Sequence, residues 1–204
     1  MLIDLHTHTK HKSIDSALAL DVLLAKARLK GLGGVCLTEH NAVWRREDVP
    51  GLAESHGILV VRGMEVSTDA GHVLVFGVDK FVAEMMSVHR LAHIVEQEGG
   101  VMILAHPWRE GDGVTPGWVD IDELFDAVEV INGSDTRLAS SHWMHMVSAM
   151  GLAGTGGSDA HCAGAVGSCA TKFETAKPIR NEVDLVRELK AGNYYPVWLD
   201  GPYV

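Results

Sequence analysis

The chain carries 204 residues, 47% hydrophobic and 22% charged, enough to bury the core of one domain running over residues 1–204. With 17 Lys+Arg against 27 Asp+Glu the formal net charge is −10, and no basic stripe offers a track for a long nucleic-acid backbone. No apolar run is long enough to cross a bilayer and no signal-like leader precedes Asp4. Cys36, Cys162 and Cys169 lack paired spacing, so a reducing, cytoplasmic setting is expected.

In chain order, Met1-Leu2-Ile3 opens a short buried strand that runs into Asp4-Leu5-His6-Thr7-His8-Thr9. Leu20, Leu23, Leu24 and Ala27 fall at i, i+3, i+4, i+7, a helical stripe that Gly31 stops. Gly34-Val35-Cys36-Leu37-Thr38 reads as the next strand. Ile58-Leu59-Val60-Val61, Met64-Glu65-Val66 and Val73-Leu74-Val75-Phe76 are further extended runs. A longer helix passes through Val88, Leu91, Ala92 and Val95 and ends at Gly99-Gly100. Val101-Met102-Ile103-Leu104-Ala105 and Val128-Glu129-Val130-Ile131 are buried strands by length and apolar continuity. A helical segment over 136–150 leads to Ala153-Gly154-Thr155-Gly156, and Val183, Leu185, Val186 and Leu189 mark a last helix.

Strands alternating with helices imply a mostly parallel sheet covered by helices. Nearly every strand is followed by histidine, carboxylate or, once, an amide: His6 and His8, Glu39 and His40, His106, Asn132, then Asp159 and His161. A (β/α) barrel gathers the C-terminal ends of its strands on one face, so this placement predicts an α/β barrel with one cavity at its mouth.

Twelve histidines against four phenylalanines point at metal chemistry, since imidazole is the commonest metal ligand. His6 and His8, two apart on an extended segment, share one face and make half of a metal site. Asp159-Ala160-His161 repeats that spacing. His40 and His106 each end an apolar strand, and Pro107 biases His106 toward an extended conformation that aims it outward. Glu65 sits among apolar neighbours, where a carboxylate is rare unless paired or bound to metal, and its two oxygens can bridge two cations. His72 follows it by seven residues. Asp15 completes the ligand set, while Asp4, Glu39 and Asn132 read as groups that orient the imidazoles. His11, His56, His89, His93, His142 and His145 read as solvated, and Cys162 as a small packed residue.

The motifs D-L-H-T-H-T, T-E-H-N, G-M-E-V-S-T with a following G-H, A-H-P, I-N-G and G-S-D-A-H occur in this order from Asp4 to Lys172. In them the chain resembles the PHP (polymerase and histidinol phosphatase) family. The resemblance implies a distorted seven-stranded (β/α)7 TIM-like barrel and up to three divalent metals. It assigns His6, His8, Glu65 and Asp159 to one ion, Glu65, His72 and His106 to a second, and Asp15, His40 and His161 to a third. The spacing from Lys10 to Ser16 departs from the family pattern, so Asp15 is the least secure ligand and a two-metal site stays open.

Such ions would lower the pKa of a bound water and give a hydroxide that attacks phosphorus, with Glu65 and Asp159 central to the chemistry. Mixed N/O ligation suits manganese, zinc or iron. Arg109, three residues after His106, is best placed to meet a substrate phosphate, followed by Arg45, Arg137 and Asn132. The expected activity is hydrolysis of a small phosphate monoester. A phosphodiesterase or exonuclease acting on nucleotides or short oligonucleotides is the alternative. An amidohydrolase-like C–N hydrolase usually needs a mid-barrel lysine, and between Lys30 and Lys172 only Lys80 is available. A metal-stabilised binding module would be expected to lack ligands, and none is missing.

Overall fold

Short apolar runs bounded by glycine become strands, and each three-to-four periodic stripe becomes a helix that covers them. A computed structural model of the chain describes residues 1–109 and 120–199. The strands and helices, in order, are β1 (Leu2–Asp4), α1 (Leu20–Leu29), β2 (Gly34–Leu37), α2 (Val49–His56), β3 (Leu59–Arg62), β4 (Met64–Thr68) and β5 (Gly71–Phe76). A 3-10 turn (Ala83–Met86) precedes α3 (Val88–Glu98), β6 (Val101–Leu104), α4 (Ile121–Leu124) and β7 (Ala127–Asn132). Then come α5 (Arg137–Ala149), β8 (Ala153–Gly157), β9 (Cys169–Phe173), α6 (Glu182–Ala191) and β10 (Tyr194–Trp198).

The helices bury the faces their periodicity dictates. α1 buries Leu20, Leu23, Leu24 and Ala27, and each leucine contributes about 1.5–3 kcal/mol of apolar burial. α3 buries Val88, Leu91 and Val95 and stops at Gly99, whose φ of 71° is left-handed and open to glycine without strain. α6 starts where Asn181 Oδ1 accepts the Asp184 amide at 2.9 Å. It buries Leu185 and Leu189 but turns Val183 to solvent.

The expected barrel is not what forms. The described strands make two five-stranded mixed sheets, ordered β10-β9-β1-β2-β3 and β4-β5-β6-β7-β8, and no ladder closes them into a ring. Two reversed strands, β5 and β9, break the parallel pattern. Only Asp69 and Ala70 separate β4 from β5, too few residues for a crossover, so β5 turns back antiparallel to β4 and also lies antiparallel to β6. β9 runs antiparallel to both β1 and β10. Beside β8, β10 offers Pro196, which has no N–H for a ladder, facing the bare backbones of Gly154 and Gly156. The two sheets therefore pack side by side without zipping.

Core clusters show how the sheets meet. One cluster takes Ile3, Cys36, Val61 and Phe173 from the first sheet and Leu74, Phe76, Val101, Ile103 and Ala127 from the second. α1 packs outside the first sheet with Val35, Leu37 and Val60, and α3 and α5 pack outside the second with Val75, Met102, Leu104 and Val128. α6 closes the shared core at one end. There Glu182 accepts the Gly77 amide (3.2 Å) and pairs with the buried Arg62 guanidinium (2.9 Å).

Single backbone links cross between the sheets at the opposite end. Thr7 bridges to Ala160, and His40 bridges to Glu65. His8 N donates to Ala160 O (3.1 Å), Asp159 N to His6 O (2.8 Å) and Asn41 N to Glu65 O (2.8 Å). Because β5 is reversed, its first residues lie at this same end, and His72 arrives there from the opposite chain direction.

Candidate metal centre

His6 and His8 lie just beyond β1, and the extended alternation holds: Thr7 between them turns away and donates its hydroxyl to Cys36 O (2.6 Å). The two rings lie 5.0 Å apart by centroid. Opposite them, β4 supplies Glu65, which is 1% exposed, and both of its oxygens face imidazoles. Oε1 meets His72 Nδ1 at 2.9 Å and His106 Nε2 at 3.0 Å. Oε2 meets His40 Nδ1 at 2.9 Å, His8 Nε2 at 3.2 Å and His6 Nε2 at 3.4 Å. Asp159, just after β8, brings Oδ1 to 3.4 Å from both His6 Nε2 and His8 Nε2. At the rim, the half-exposed Asp15 sets Oδ2 at 3.1 Å from His40 Nε2 and 3.2 Å from His161 Nε2.

All nine expected ligands thus converge. A cavity of about 340 Å³ opens over them, lined by Asp15, His40, Glu65, Ser67, His72, His106, Arg109, Asp159 and His161. His106 departs from its expected extended backbone, with φ of 26°. Its amide is tied to Glu129 Oε2 (3.2 Å), its carbonyl accepts Arg109 N (3.0 Å) and its ring is tied to Glu65, and these contacts override the bias of Pro107. Asp159 (φ 51°) and Asn41 (φ 49°) are the other non-glycine residues with positive φ among the described residues, so backbone strain collects around the site.

The donor set fits cations. His6 Nε2, His8 Nε2 and Glu65 Oε2 are buried and have no hydrogen-bond partner, yet they point at one another. Buried polar atoms without partners cost free energy, and a shared cation would satisfy all three. The charges agree. Burial would push the Glu65 carboxyl up, but the charge of His6 and the close His106 and His40 imidazoles hold it well below the usual carboxylate range. Burial acts the same way on Asp159, and the charge of His6 likewise holds it below that range. Burial would depress His6, but the charges of Glu129, Asp159 and Glu65 raise it well above the usual imidazole value.

Arg109 reaches the cavity with Nη1 at 2.9 Å from Asp159 Oδ2 and Nη2 at 2.9 Å from Asn132 Oδ1. Asn132 in turn donates to Glu129 Oε2 (3.0 Å). The other two arginines are not brought in. Arg45 is 70% exposed and pairs with Asp48, and Arg137 stacks over Trp198 at 4.8 Å. Glu39 does not touch an imidazole. It accepts from Thr9, Ser13 and Trp44, while Asp4 holds the amides of His6 and Ser158. Burial raises the Asp4 carboxyl to about 6. His11, His89, His93 and His145 are exposed, and His56 pairs with Asp21. The side chain of His142 lies outside the described residues.

Sequence reasoning missed Glu129. Fully buried on β7, it accepts from His6 Nδ1 at 3.0 and 3.2 Å and so leaves the other ring nitrogen free to face the centre. An acid inside the all-buried run Ala127–Asn132 was the signal, since such a residue needs a partner.

Residues 4–141 match the PHP domain family, and residues 145–194 match the PHP-associated family. The chain is 28% identical over 146 residues to an uncharacterized protein of Methanocaldococcus jannaschii, covering 65% of this chain and 82% of that one. Over 72 residues it is 33% identical to an error-prone DNA polymerase of Symbiobacterium thermophilum, covering 35% of this chain and 7% of the polymerase. Among solved structures, PsfC from Pseudomonas syringae PB-5123 superposes with a TM-score of 0.74 at 20% identity, over 97% of this chain and 91% of that one. A two-domain protein of Bacteroides vulgatus containing a predicted PHP-like metal-dependent phosphoesterase gives 0.72 at 18% identity, over 97% of this chain and 64% of that one. Endonuclease Q, in complex with a 27-mer duplex, gives 0.62 at 17% identity, over 96% of this chain and 58% of that one. At these identities the structural likenesses speak to the fold alone. The family match covers well over half of the sequence, and the ligand geometry agrees with it: the chain belongs to the PHP family of metal-dependent phosphoesterases.

Proposed function

We propose that the chain, as one domain over residues 1–204, hydrolyses a small phosphate monoester with two or three divalent cations, manganese, zinc or iron. His6, His8, Glu65 and Asp159 would hold one, Glu65, His72 and His106 a second, and Asp15, His40 and His161 a third. The observation that carries this reading is Glu65, whose two oxygens face different sets of imidazoles between 2.9 and 3.4 Å. When bound, such cations supply Lewis acidity that draws electron density from a phosphoryl oxygen and acidifies water.

The chain's own residues do the rest. Arg109 is the only Lys or Arg among the described residues lining the cavity, and its guanidinium is placed to receive phosphoryl oxygens. Asn132 braces it from below. Glu129 and Asn132 form the floor that keeps His6 and Asp159 in register. The modest cavity and the acidic chain favour a small substrate over a long nucleic acid. Free Cys36, Cys162 and Cys169 suit a reducing compartment, which supports the cytoplasmic reading, and no described helix is long and apolar enough to cross a membrane.

A second reading, cleavage of phosphodiesters in nucleotides or short oligonucleotides, draws on the polymerase relative. One assay separates the two: the manganese-loaded chain offered p-nitrophenyl phosphate, bis(p-nitrophenyl) phosphate and a short oligonucleotide. The monoester should turn over fastest. Preference for the oligonucleotide would favour the second reading, and inactivity on all three with metal bound would overturn both.

A further inference from the structure

Two buried chains of hydrogen bonds reach the paired imidazoles, and they differ in kind. His6 meets a carboxylate, Glu129, directly, whereas His8 meets a serine. His8 Nδ1 lies 3.1 Å from Ser13 Oγ, and Ser13 Oγ lies 2.6 Å from Glu39 Oε2. Ser13 and Glu39 are both buried, at 1% and 0% exposure.

We infer that Ser13, polarised by Glu39, is a positioning residue that fixes the tautomer of His8 and so keeps His8 Nε2 free for a cation. The inference rests on the reading of His8 as a cation ligand. A hydroxyl has one proton and two lone pairs, and an ionised carboxylate only accepts. Glu39 already accepts from Thr9 N (2.9 Å), Thr9 Oγ1 (2.5 Å) and Trp44 Nε1 (2.9 Å), so it is built as an acceptor. The Ser13 proton therefore goes to Glu39, and only lone pairs remain to face His8.

His8 must then donate from Nδ1. A neutral imidazole carries one N–H, so Nε2 is left with a bare lone pair. That atom is buried and without a hydrogen-bond partner, 3.2 Å from Glu65 Oε2 and 3.4 Å from Asp159 Oδ1. The second Ser13 lone pair faces the His40 amide at 3.3 Å, so the same oxygen ties a second ligand residue to the loop that carries Asp15. Alanine at 13 would remove the acceptor and leave the ring free to carry its proton on either nitrogen.

The test uses the full ¹⁵N-labelled chain, stripped of metal with a chelator, at a pH where His8 is neutral. Long-range ¹H–¹⁵N spectra should show His8 protonated at Nδ1 in the unsubstituted chain. A proton on Nε2 instead would overturn the inference without any variant. Ser13→Ala should populate both tautomers and weaken zinc binding about tenfold to hundredfold in a chelator-competition titration, with the helical circular dichroism unchanged. Ser13→Thr, which keeps the hydroxyl, should recover both. A Ser13→Ala chain that stays wholly Nδ1-protonated and binds zinc within twofold of the unsubstituted chain would overturn the inference. If Ser13→Ala does not fold, the spectrum of the unsubstituted chain and the Ser13→Thr titration decide. Failure of zinc to bind the unsubstituted chain would instead overturn the reading of His8 as a ligand, a distinct result.

Discussion

Glu65 carries more of the site than any other residue, because each oxygen is committed to a different set of imidazoles. Glu65→Ala should abolish turnover and lower the bound metal measured by elemental analysis, and retained activity would place the bridge elsewhere. Arg109 raises a sharper question, since its two arms hold Asp159 and Asn132 in the same geometry that would meet a phosphate. Losing a charge-assisted contact of this kind costs about 1.5–3 kcal/mol, so Arg109→Ala should raise KM by roughly tenfold or more. Steady-state kinetics with parallel metal analysis decides its role. An unchanged KM with reduced metal would make Arg109 a brace for Asp159 and not a substrate contact.

At the scale of elements, β8 shows how a strand with almost no side chains builds a site. Gly157 lies against His6. A β-carbon there would collide with His6 Cβ and come within 2.8 Å of Glu129 Oε1, splitting the pair that orients the imidazole. Gly156 faces Ala170 O just as closely, so β8 can slide in beside β9 and β10 only without side chains. Gly157→Ala should cost about 1–3 kcal/mol of stability by overpacking and weaken zinc binding about tenfold through His6. Thermal unfolding and zinc competition read the two effects separately, and a variant with unaltered zinc affinity would detach β8 from the metal centre. The glycines were visible in the sequence as Ala153-Gly154-Thr155-Gly156. Their reason was not, because it lies in residues of other strands, Val130 and Pro196 against Gly154 and Ala170 against Gly156.

For the molecule as a whole, the centre couples stability to pH in opposite senses with and without metal. His6 and Asp4 are raised, so their contribution is full below their unfolded values, near 6.5 and 3.8, and is lost as pH rises through the folded ones. Glu65 and Asp159 are lowered, so theirs is present above the unfolded carboxylate range and is lost on acidification. The chelated protein should therefore be most stable in mildly acid solution and less so at about pH 8. Cations compete with the proton on His6, so zinc binding should strengthen as pH rises above the usual imidazole range and should release protons. The rise in melting temperature on adding zinc should be larger at about pH 8 than at about pH 5.5. An equal rise at both would show that His6 is not displaced from its proton.

The sequence by itself determined the candidate ligands and the four longest helices, but not the short α2 and α4. H-x-H sits on extended backbone, where side chains alternate strictly, and the apolar stripe of Leu20, Leu23, Leu24 and Ala27 repeats with the helical period. D-x-H was legible from its spacing alone, since Asp159 turns out left-handed at φ 51°. These are local rules, legible without a partner. Only the tertiary structure decided that the strands form two sheets and not a ring, because closure depends on pairing between distant segments. The tight β4–β5 turn and Pro196 beside the glycines of β8 set that pairing. Tertiary structure also decided which polar residues support the imidazoles. Glu129 under His6, and Ser13 as the link between His8 and Glu39, became visible only when buried donors had to be matched with acceptors.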